Sequence, residues 1–186
     1  MKHSLNDRAS LIHAAVETLQ QGEALLLAFT DEQYTRLLPV AFNASIGGHY
    51  RHCLDHFRSL LAAGAQGGLD YDQRERNPLI ESDRFAALNV TRELRAGFEQ
   101  MDERLVAREL TVTCKTSHST NTSQTASSTV GREIMYAVAH AVHHYALIGV
   151  FGGLMGVTMP PSFGVAPSTL KHQREMAEKE SVISEQ

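Results

Sequence analysis

GREIMYAVAHAVHHYALIG, Gly131 to Gly149, is one continuous helical pattern with no proline inside it. His140 and His144 stand four residues apart, so on a helix they share a face one turn above the other. That spacing lets two imidazoles reach one metal ion. His143 is rotated about 100° from His144 and points elsewhere.

Far back in the chain, Ser45 to Phe57 reads SIGGHYRHCLDHF and holds a second histidine cluster, His49, His52 and His56. Ser45 suits an N-cap, and the pattern predicts a helix from Ile46 to about Ala63 that runs out in the glycine-rich AAGAQGG. At 100° per residue, Ile46, Tyr50, Cys53, Phe57, Leu60 and Leu61 share the apolar side. The histidines form a stripe at its edge, with His49 and His56 slightly nearer the apolar side than His52. Arg51, Asp55 and Arg58 fall on the other side.

Outward from these two helices, Ser4 or Asn6 can cap a first helix, with Leu11, Ile12, Ala15, Val16 and Leu19 at helical spacing and a weak point at Gly22. Thr30 caps a short helical turn to about Leu38, stopped by Pro39. Residues 69–80 show no period and read as an ordered loop. A third long helix runs from about Ser82 to Val106. LTVTCKT, residues 110–116, alternates like a short strand, and the polar 117–129 reads as a hairpin tip or a mobile loop. Gly152, Gly153, Pro160 and Pro161 end the helix that carries His140. Ser168 caps a last short turn, and the chain frays from about Glu175. The expectation is a single all-α domain over residues 1–186. It is an up-and-down four-helix bundle with a short β-hairpin or long loop before the last long helix.

Composition sets limits. The 186 residues are 42% hydrophobic and 20% charged, with a net charge of -4. A mildly acidic chain is a poor nucleic-acid binder, which needs a basic footprint. No leader-like apolar segment and no apolar run of about 20 residues stand out, so neither a membrane nor export is expected and a cytoplasmic protein is inferred. Cys53 and Cys114 read as free thiols. Ten histidines are the compositional oddity.

Together the two blocks resemble the DinB/YfiT superfamily of metal-binding four-helix bundles. SIGGHYRHCLDHF is similar to that family's second-helix His-x-x-Asp-x-His pattern, and the later block to its H-x-x-H-H pattern. The resemblance places the metal ligands on His52, His140 and His144. His49, His56, His143, Tyr145 and Asp55 remain as neighbours or alternate ligands. After His144, where many relatives have Arg-Gly-Gln, this chain has Tyr145, Ala146 and Leu147.

A three-histidine site with an open position fits one divalent ion, zinc or nickel as purified by Irving–Williams ordering, with manganese or iron as alternatives. Neutral ligands leave the ion its full charge, so it acidifies a bound water or thiol. Two enzymatic readings result: activation of a small thiol cosubstrate for transfer to an electrophile, favoured by the resemblance, or hydrolysis by a metal-bound hydroxide. A non-enzymatic metal-binding or hemerythrin-like redox module is the third, resting on His13 and Glu17 with the other pairs. The substrate is expected to be a small molecule, and the resemblance implies a homodimer.

Overall fold

The computed structural model describes residues 5–184, so the Ser4 cap lies outside the described residues. In chain order the helices are α1 (Leu5–Ala28), α2 (Asp31–Thr35), α3 (Ile46–Gln66), α4 (Pro78–Ser82), α5 (Arg84–Glu99), α6 (Val130–Leu154) and α7 (Pro167–Ser184). Three strands, β1 (Gly68–Asp70), β2 (Glu109–Lys115) and β3 (Ser123–Thr129), form one sheet in the order β1-β2-β3.

Local chemistry sets the helix ends. The Ser45 hydroxyl accepts from the Gly48 amide at 3.0 Å, and Gly67, at φ 87°, ends α3 in the left-handed region. Thr30 and Gln33 form a reciprocal capping box on α2. Asp83 accepts from the amides of Phe85 and Ala86 and so starts α5. Pro39 opens a short 3-10 turn rather than only stopping what precedes it.

The four long helices α1, α3, α5 and α6 pack in a ring in which α1 and α3 each touch α5 and α6. An up-and-down order would put chain neighbours α1 and α3 side by side, and α5 beside α6. Here those pairs lie across the ring from each other. The connections that make this possible are long: residues 29–45 with α2, and residues 100–129 with the hairpin. Length and periodicity cannot reveal such a crossing, because each helix shows the same apolar stripe whichever neighbour it meets.

The chain is also not all-α. β1 lies parallel to β2, with Leu69 opposite Val112, and β2 lies antiparallel to β3, with Thr113 opposite Thr125. The polar residues 123–129 are therefore a strand running straight into α6, and only 116–122 form the tip. Their Ser and Thr side chains face solvent for most of the length, so no alternation marks the strand. Likewise residues 69–80 are not merely a loop, since they hold part of β1 and most of the first turn of α4. The expected third helix stops at Glu99, and a 3-10 turn at Glu103–Ala107 replaces its end. Ser168 lies inside α7, and residues 175–184, expected to fray, continue it.

α1 runs through Gly22 without a break, and nothing larger fits at that position. A Cβ at this position would meet the hydroxyls of Tyr50 and Tyr145, the latter at 2.6 Å. Both tyrosines are fully buried: Tyr50 bonds Thr91, and Tyr145 donates to the Thr18 carbonyl at 3.1 Å. Alanine would gain up to about 1 kcal/mol of helix propensity but would overpack this junction at about 1–3 kcal/mol. Gly22→Ala is expected to destabilise the protein by about 1–2 kcal/mol in urea denaturation.

α6 is long and apolar enough, by length and composition alone, to cross a membrane. Reading apolar runs residue by residue does not register this, because histidines interrupt them. In the fold, Ile134, Ala137, Ala141, Tyr145 and Ile148 of α6 are buried.

Candidate metal centre

The helical phase of α3 and α6 turns both histidine clusters toward one seam. His140 Nε2 lies 2.9 Å from His52 Nε2, and His49 Nδ1 lies 2.7 Å from His144 Nδ1. One nitrogen each from His52, His140 and His144 falls within 4.8 Å of the others. Nitrogens around a tetrahedral zinc with bonds of about 2.0–2.1 Å stand roughly 3.3 Å apart. Small side-chain rotations on two packed helices span that difference.

The donor set suits a cation. Burial, then Arg74 and the neighbouring histidines, lowers the His52 pKa to about 3. Burial, then His140 and His49, lowers that of His144 to about 4. Burial is also the main cause of the lowered values of His49 and His140. The imidazoles are therefore neutral and carry lone pairs, which is what a metal requires. The same shifts set a pH dependence. The unfolded chain takes up protons near pH 6.5, whereas the folded histidines resist protonation to about pH 4 for His144. The unfolded state thus binds more protons in that window, and stability falls as pH drops through it. Allowing for solvent screening of half-exposed rings, a combined loss of about 2 kcal/mol is expected. The Tm of metal-free protein would then fall by roughly 5 °C between pH 7 and pH 4.5, measured by circular dichroism.

His56 does not join the triad. It is the most buried of its stripe, at 3% exposure, in keeping with its place near the apolar side. Arg74 Nη1 lies 2.7 Å from its Nε2. A guanidinium only donates, so Nε2 accepts and Nδ1 carries the proton, buried without a partner. Its pKa, lowered to about 2 by burial and then by His140, keeps it neutral. His49 touches His144 rather than the other two histidines of the cluster. His143 is exposed, as its rotation predicts.

Two other expectations change. Tyr145 is core: its ring stacks on Tyr50 and Phe163, and its hydroxyl is spent on Thr18. Asp55, read as lying on a solvent face with Arg51 and Arg58, is buried and accepts from Arg51 at 2.8 Å. The segment after α3 covers that face. Arg51 also reaches Glu81 at 2.9 Å, and Arg58 pairs with Glu75. Cys53 is buried, as its wheel position predicts. His13 and Glu17 pair with each other on the exposed side of α1, which removes them from any shared di-iron site with the cluster.

Chambers open on either side of the histidines. One, of about 290 Å³, is lined by Ser45, His49, Arg51, His52, Glu81 and His144, among others. The other, of about 360 Å³, is lined by His52, His56, Tyr71, Arg74, Cys114, Lys115, Arg132, Tyr136 and His140, together with Asp72 and Val112. Glu133 sits behind this wall, fully buried, accepting from Tyr71, Ser128 and Arg132 at 2.6–2.7 Å. Beyond the histidines, Tyr136 carries a spacing signal that the sequence reading passed over, since Tyr136, His140 and His144 repeat every fourth residue. Arg74, Glu81, Cys114 and Lys115 arrive by tertiary packing and carry no local signal.

No family model matches the chain. FK506-binding protein 5 of Rhizopus delemar is 35% identical over 104 residues, which are 56% of this chain and 27% of that protein. The chain therefore spans about a quarter of the length of the curated relative it matches. Its structure is similar to the crystal structure of YjoA, a DinB-like protein of Bacillus subtilis. The TM-score is 0.62 at 18% identity, covering 82% of this chain and 96% of the other. At that identity the likeness is one of fold, and it agrees with the resemblance carried by the two histidine blocks.

Proposed function

We propose that this chain, whose fold is DinB-like, is a metal-dependent enzyme that holds one divalent ion on His52, His140 and His144 and transfers a small thiol to an electrophile. The observation that carries the reading is the convergence of three neutral imidazoles from two helices between two open chambers. A bound ion would supply positive charge that acidifies a thiol or water in its open position. The protein's own groups do the rest. His49 engages one nitrogen of His144 and fixes the ring, leaving the other nitrogen for the ion. The chambers admit a small molecule on each side.

The thiol reading is favoured over hydrolysis by the resemblance to the DinB/YfiT superfamily. Hydrolysis calls for a general base within reach of water. Glu133 already accepts three donors, and Asp55 is held by Arg51. An ion that acidifies a bound thiol acidifies a bound water as well, so these carboxylates bear only on base-assisted hydrolysis. Hydrolysis is kept as a second reading on one observation: Glu81 lines the same chamber as His49, His52 and His144. Zinc or nickel is the proposed ion as purified.

Elemental analysis of untagged protein tests the site. About one equivalent of a divalent metal, lost in His52→Ala, supports it. No metal, with added zinc and nickel also failing to bind, would overturn it. Two equivalents of iron would replace it by a hemerythrin-like centre. A panel of small thiols with monochlorobimane then separates transfer from hydrolysis. A hydrolase would show no thiol-dependent conjugation, would cleave esters instead, and would lose that activity in Glu81→Gln.

A further inference from the structure

We infer that the chamber lined by Arg74, Lys115, Arg132 and Tyr136 seats an anionic group, a carboxylate or phosphate, of the substrate beside the metal ligands. The inference rests on the proposed function for what lies at the other end of that substrate. The lining carries three cations against one acid, Asp72. Asp72 is engaged, with Oδ2 accepting from the Lys115 amide at 2.6 Å. Arg132 is matched by Glu133. Arg74 and Lys115 are not: among the described residues neither side chain has a carboxylate within ion-pairing distance. Lys115 Nζ donates only to Asn121, at 2.6 Å. Arg74 donates Nη1 to a neutral histidine, and its Nε is buried with no partner.

A buried guanidinium donor without an acceptor is an unmet demand, and an incoming anion meets it. The other chamber offers a contrast. Its cation, Arg51, is held by both Asp55 and Glu81, so no charge is left over for a ligand. The anion preference therefore belongs to the Arg74 side. His52 and His140 line that same chamber, so a molecule whose anionic end meets Arg74 and Lys115 has its other end against two of the three ligands. A short bifunctional molecule, such as a thiol carrying a carboxylate, fits this placement.

The test is calorimetric titration of zinc-loaded protein with 3-mercaptopropionate and with uncharged 2-mercaptoethanol. The charged thiol is expected to bind about tenfold tighter or more, with the gap narrowing at high salt. In an Arg74→Gln, Lys115→Gln double variant the two should come within about twofold, with 2-mercaptoethanol affinity and zinc content unchanged. Amide shifts of metal-free protein on addition of succinate or inorganic phosphate form a second arm. Shifts at Lys115 and Arg132 that vanish in the double variant are expected, and whichever anion gives them identifies the class. If no thiol binds but these shifts appear, the anion seat stands and the thiol reading falls. Equal affinities for both thiols, with no shift by either anion, would overturn the seat and leave the metal site standing.

Discussion

Replacing His140 and His144 together by alanine is expected to drop the metal content from about one equivalent to near zero while the helical signal in circular dichroism is retained. The size follows from the ligand set. Loss of even an outer partner of a metal ligand costs about 10–100-fold in affinity, and two of three direct ligands exceed that by a wide margin. The fold should survive because both rings sit half-exposed in the seam rather than in the core. His143→Ala is the control on the same helix. Its ring is exposed and stands 5.6 Å, centre to centre, from that of His144, so metal content should stay within error of the parent. Metal lost in the control, or retained in the double variant, would mean that the triad is wrongly chosen.

Arg51→Met is expected to destabilise the protein by about 3 kcal/mol at pH 7 in urea denaturation. The Asp55 side chain is only 1% exposed, and Arg51 supplies its ion pair. Removing one partner of a buried pair strands the other charge, at a cost of about 3–5 kcal/mol. The lower end applies because Arg74 also lowers the Asp55 pKa. The lost contact to Glu81 adds little, since Glu81 is 44% exposed. Burial already raises the Asp55 pKa, and without Arg51 it rises further. A folded-state pKa above the unfolded one means that the folded protein binds the extra proton. The deficit therefore shrinks as pH falls through that pKa and is fully present above it. Arg51→Met combined with Asp55→Asn should recover most of the loss. A single variant as stable as the parent at pH 7 would show that Asp55 is solvated.

The sequence by itself determined the long helices α1, α3 and α6 and the phase of the histidines on the last two. Ser45, Gly67 and Thr129 mark helix ends by local hydrogen bonding and backbone conformation, and such signals need no distant partner. Four-residue spacing placed His140 beside His144, because helical angles depend only on residue number, whereas the choice of His52 over His49 and His56 came from the family resemblance, since the α3 wheel set those two slightly nearer the apolar side. Only the tertiary structure decided the rest. It set α1 and α3 across the ring from one another, since an apolar stripe does not specify which neighbour covers it. It made a strand of Ser123–Thr129, whose backbone hydrogen bonds come from β2 and not from any property of its own side chains. It buried Asp55 under the segment that follows α3, and it gave the histidines two unlike flanks by bringing up Glu81 on one side and Arg74 and Lys115 on the other. Those residues lie in short elements and loops whose positions are fixed by what they pack against. Their role at the site is a long-range property that no local pattern encodes.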